Sequence, residues 1–152
     1  MAKKFKMGPI QKAWVESLLA HPERQMKDSL GEGTPRKYTA CCLGEGLCVL
    51  ARMAKKALPF NADGILYDFP SKLTIKNSEN EGEWEDETSI LVYSYDKLGL
   101  KDAEGRSINE DIIIGEKKYS TLASANDGLN VTWTDIGNYI KKHPENIFTK
   151  SL

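Results

Sequence analysis

The 152-residue chain contains only two histidines, His21 and His143, and only three cysteines, all between Cys41 and Cys48. So few imidazoles leave little room for a histidine-based catalytic pair or a histidine-rich metal centre. An odd, tightly clustered set of thiols is not a disulfide framework. No apolar run approaches the ~20 residues that a membrane-spanning helix needs. Net charge is small, −1, and the isoelectric point is about 6.2. Bulk charge therefore excludes general nucleic-acid binding. Lys3, Lys4 and Lys6 form a basic head, but no apolar segment follows them as it would in a secretory signal. The expectation is a cytoplasmic protein. No complete catalytic, dinucleotide-binding, P-loop or EF-hand motif is present.

What remains is the composition of an ordinary globular domain, 40% hydrophobic and 28% charged, at a length that suits one domain. Gly8-Pro9 opens a first helix. Ile10, Ala13, Trp14, Ser17 and Leu18 share one stripe at helical spacing, and His21-Pro22 ends it. Residues 27–36 are polar, contain Gly31, Gly33 and Pro35, and read as a loop. A second helix is expected from about Leu43 to Leu58, with Leu43, Leu47, Leu50, Ala51, Ala54 and Leu58 facing the core. Glu45, Arg52 and Lys56 fall on the opposite side. Gly44 and Gly46 each cost about 1 kcal/mol inside a helix. Either the helix starts after them or something approaches its backbone closely.

Residues 65–69, 72–76 and 89–95 are strand-like, with Tyr67, Tyr93 and Tyr95 on one sheet face, and 111–114 reads as a further short strand. Between the second and third of these runs, residues 79–87 hold six acids and Trp84. Such a run belongs in a solvated loop. Tyr119 to Ala125 reads as a short helix broken by Asn126-Asp127-Gly128. Thr132 then caps a last helix with Asp135 three residues on, Trp133, Ile136, Gly137 and Ile140 on its buried side, and His143-Pro144 at its end.

Four kinds of candidate chemistry can be weighed. Cys41, Cys42 and Cys48 lack the paired spacing of a zinc site, even with His21 added, and packing is the plainer reading. A helix N-terminus activates a thiol at Cys41 or Cys42, but both histidines belong to helix ends rather than to a triad. Amides opened by Gly44 and Gly46, with Arg36 and Lys37 upstream, form a candidate anion-binding site, although Glu45 between the glycines opposes an anion. Glu83, Trp84, Glu85 and Asp86 form a candidate partner-binding segment, in which the tryptophan either folds back on the sheet or anchors a partner.

Three segments carry a resemblance: Trp14-Val15-Glu16-Ser17-Leu18-Leu19, then Cys41-Cys42-Leu43-Gly44-Glu45-Gly46-Leu47-Cys48, then Leu122 through Ile140, with Lys97-Leu98-Gly99-Leu100 as the link. Together they resemble a family of small uncharacterised proteins of phages, prophages and bacteria, marked by a Cys-Cys-Leu-Gly-x-x-Cys signature. Here Cys42 and Cys48 stand one residue further apart than in that signature, which turns the third thiol by ~100° on a helix. The resemblance implies a phage accessory protein in the host cytoplasm and transfers no catalytic residue.

The reading as a whole is one α+β domain over residues 1–152, a small antiparallel sheet packed by N-terminal and C-terminal helices. It includes a basic tail at 1–8 and an acidic loop at 77–88. The leading functional expectation is a non-enzymatic protein binding a host macromolecule, a host protein first of all, with no cofactor and no metal. The alternatives are a small-molecule binder, such as a nucleotide sponge against a defence signal, and a cysteine-dependent enzyme.

Overall fold

The computed structural model describes residues 5–55, 58, 60, 62–66 and 96–152. The expected strands at 72–76 and 89–95, most of 65–69, the acidic loop at 77–88, and Lys3 and Lys4 lie outside the described residues.

Helix α1 runs Pro9–Ala20, with Pro9 as its first residue and the Gly8 N–H donating to the Gln11 side chain. His21 follows it, and a 3₁₀ turn, Pro22–Arg24, redirects the chain. Strands β1 (Gly31–Thr34) and β2 (Lys37–Ala40) then form an antiparallel hairpin in which Gly31 faces Ala40 and Thr34 faces Lys37. Helix α2 spans Cys42–Met53. A second hairpin pairs β3 (Ile112–Ile114) with β4 (Lys117–Tyr119). Helices α3 (Leu122–Asn126) and α4 (Trp133–Lys142) and a 3₁₀ turn at Pro144–Asn146 complete the described chain. The architecture is α+β, and among the described residues two small antiparallel sheets pack with helices from both ends of the chain. None of the described helices is long and apolar enough to cross a membrane.

Residues 27–36 are not the loop that their composition implies, since β1 lies among them. Gly31 and Gly33 have low strand propensity. Backbone pairing on both sides outweighs it. β2 lies along one edge, and on the other the Leu66 N–H donates to the Gly31 carbonyl at 2.9 Å and the Gly33 N–H to the Gly64 carbonyl at 2.8 Å. Tyr119 likewise ends a strand rather than starting a helix, and α3 begins three residues later, capped by the Thr121 side chain. The cap of α4 is the expected one: the Thr132 side chain accepts from the Asp135 N–H, and Asp135 accepts from the Thr132 N–H at 3.0 Å.

The core forms where α1 lies against α2 and α4. Trp14 and Leu18 of α1 and Trp133, Ile136 and Ile140 of α4 are fully buried, and the Trp14 ring meets Phe148 edge-on at 6.0 Å. Two buried amides stitch distant segments into this core. Gln11 Nε2 donates to the Leu98 and Lys150 carbonyls. Asn126 Oδ1 accepts from the Cys42 N–H at 3.0 Å and from the Trp133 indole at 3.1 Å, and its amide donates to the Met26 carbonyl. Every polar end of Asn126 is thus satisfied without water, the condition for burying it.

Helix α2 starts at Cys42, so its glycines are interior and close approach is their reason. A side chain at Gly44 would stand 2.0 Å from the Leu30 carbonyl oxygen, whereas one at Gly46 would meet only the tip of Leu98, at 2.8 Å, and the Trp14 indole. A backbone atom cannot move aside and a leucine tip can. We expect Gly44→Ala to cost about 2–3 kcal/mol in urea unfolding through overpacking. Gly46→Ala should cost less than about 1 kcal/mol, because alanine's helix propensity offsets the crowding.

Candidate functional site

Glu45 does not face solvent as its place on the helix implies: its side chain is 0% exposed. The Tyr38 hydroxyl donates to Oε1 and the Ser17 hydroxyl to Oε2 at 3.0 Å. Arg24 Nη1 stands 3.3 Å from Oε2 and Arg52 Nη1 3.6 Å from Oε1. Both guanidiniums also donate to the Tyr38 oxygen, at 3.2 and 2.6 Å, and lie 4.8 and 5.8 Å from the centre of its ring. The cluster joins α1, the first 3₁₀ turn, β2 and α2. Burial, with the Cys48 and Glu45 charges adding to it, holds the Tyr38 phenol well above its ordinary pKa, so the hydroxyl remains a donor. An unpaired carboxylate in such a place would cost several kcal/mol, and two cations and two hydroxyls are what make this one tolerable. The spacing of Glu45 and Arg52 was the available signal, since residues seven apart share one helix face.

Tyr38 and Arg24 also line an open cavity of about 670 Å³ beside the first hairpin. Its floor is the outward face of β1 and β2. Glu32 lies opposite Thr39 and Thr34 opposite Lys37, while Tyr38 and Ala40 point to the core. Arg36, in the hairpin turn, and Lys37 line it as well. The four residues expected to bind a ligand are therefore separated. Arg36 and Lys37 reach the cavity, and Gly44 and Gly46 are buried in α2. The amides at the start of that helix are engaged internally: the Gly44 N–H donates to Cys41 Sγ, the Glu45 N–H to the Cys41 carbonyl and the Cys42 N–H to Asn126. The cavity is thus built on the hairpin, which composition concealed.

Comparison with protein families, with curated proteins and with solved structures finds no match.

Cys41 is the N-cap of α2, the position at which a helix activates a thiol, yet it is buried with Cys42 and Cys48 and all three are free. Burial pushes the Cys41 thiol up, pushes Cys42 up further, and takes Cys48 to about 12 with the Glu45 charge adding to it. Among the described residues no three histidines, cysteines or acids are grouped to hold a metal ion. His21 and His143 each follow a helix and pair with an acid two residues on, Glu23 and Glu145. Glu83, Trp84, Glu85 and Asp86 lie outside the described residues.

The raised thiol and phenol values fix the sign of one pH effect. The folded state keeps these protons where the unfolded chain has lost them, so stability is full below the ordinary thiol value of 9.0 and falls as pH rises through the Cys48 value. We expect a constant melting temperature from pH 7 to 8.5 and a steady decline above pH 9, read by circular dichroism.

Proposed function

We propose that the protein binds a small polar ligand in the cavity beside the first hairpin and acts by holding it rather than by transforming it. The observation that carries this reading is the cavity itself, whose volume lies within the range of small-molecule sites. Its wall is anchored by the Glu45 cluster, which holds Arg24 in place and so lowers the ordering cost of binding. Arg36 and Lys37 add two cations whose side chains have no partner among the described residues. The thiols fit packing better than nucleophilic attack, since burial disfavours the thiolate at neutral pH.

The resemblance to phage and prophage proteins supports placing this binding in a host cytoplasm, where capture of a host small molecule would blunt a defence signal. Binding of a host macromolecule rests instead on Glu83, Trp84, Glu85 and Asp86, outside the described residues.

A ligand that binds only the folded state raises the melting temperature. In a thermal-shift screen of nucleotides, sugar phosphates, amino acids and dicarboxylates, at least one class at about 100 times its Kd should stabilise the protein by roughly 5–10 °C. The Arg36→Ala, Lys37→Ala double variant should lose that shift. A flat response to every class would end this reading.

A further inference from the structure

The cavity's floor is polarised, and its register shows how. The Gly64–Leu66 segment runs antiparallel to β1, with Ile65 level with Glu32 and with Leu66 bonded to Gly31. Across the outward face, Ile65, Glu32 and Thr39 therefore form one row, and Thr34 and Lys37 form the next. The rows stand roughly 7 Å apart, two residues along a strand, and Arg36 lies beyond the second in the turn. One end of the floor thus offers an apolar side chain, Ile65, 45% exposed, beside a carboxylate. The other end offers Arg36 and Lys37. Asp63, before Gly64, lines the cavity as well.

We propose that this floor binds a guanine nucleotide, with the base over Ile65 and Glu32 and the phosphates at Arg36 and Lys37. The proposal rests on the small-ligand reading above. A carboxylate accepts hydrogen bonds and donates none. It therefore suits a ring whose edge carries two adjacent N–H donors, as guanine's N1 and N2 do. Adenine presents an acceptor at N1 and fits it poorly. The apolar flank of Ile65 suits the face of a purine. Arg36 and Lys37 suit phosphate, arginine as a fork and lysine as a point charge.

Isothermal titration with GDP, ADP, guanosine and inorganic phosphate tests this. GDP should bind at least about 10-fold more tightly than ADP, the discrimination of one two-point contact to a base. It should also outbind guanosine and phosphate, each of which reaches one end only. The Arg36→Ala, Lys37→Ala double variant should weaken GDP about 10-fold or more and leave guanosine unchanged. Glu32→Gln should remove the preference for GDP over ADP. All three positions are exposed, so the variants keep the fold. Equal binding of GDP and ADP, or a preference that survives Glu32→Gln, overturns the assignment. If GDP fails while another small ligand shifts the melting temperature, the nucleotide falls and the small-ligand site stands; if no ligand of any class binds, both fall.

Discussion

A carboxylate with no access to water must be surrounded, and in this protein that requirement draws four separate elements to one point. Glu45 enters from α2, Tyr38 from β2, Ser17 from α1 and Arg24 from the turn after α1, with Arg52 closing the ring from two turns further along α2. No one of these contacts is strong by itself, since Arg24 and Arg52 keep part of their surface in water. The set is nevertheless coupled, because its members share the two Glu45 oxygens and the Tyr38 oxygen. The hairpin is thereby fixed against α2, and the cavity wall inherits that rigidity.

The remaining polar contacts in the interior follow the same logic with neutral groups. Asn126 holds the start of α2 to Trp133 of α4, and Gln25 reaches the Asn126 and Val131 carbonyls while accepting from the Trp133 N–H. Gln11 ties α1 to the carbonyls of Leu98 and Lys150. Amides of this kind, Gln11 and Asn126 fully buried and Gln25 half-buried, give register to an apolar core that would otherwise tolerate sliding. The cysteine run sits among them as packing: Cys41 caps α2, and Cys42 lies under Leu122, its Sγ 3.7 Å from that residue's carbonyl oxygen.

The sequence was legible where local chemistry decides structure. Pro9 and Pro22 bracket α1, and Thr132, Asp135 and Pro144 bracket α4, because caps and breakers act within a few residues. Ile112–Ile114 announced a strand through β-branched side chains. It was illegible where the backbone alone decides. β1 has two glycines in four residues and forms because its neighbours bond it on both edges, which no periodicity records. The site was half legible for a related reason. Arg36 and Lys37 stood out as cations upstream of the second helix, whereas Glu45 looked solvated because a charge on an amphipathic helix ordinarily is. Its partners come from segments 7 to 28 residues away, and only the fold brings them together. Gly44 drew attention for the right physical reason, a close approach, but what approaches is the Leu30 carbonyl.

The claim on which the account depends is that Glu45 and Tyr38 act as one unit. A double-mutant cycle of Glu45→Gln and Tyr38→Phe, read from urea unfolding midpoints, measures it directly. The two substitutions together should cost less than the sum of their separate costs, by at least about 1 kcal/mol. Costs that add to within about 0.3–0.5 kcal/mol would show two independent residues and contradict it.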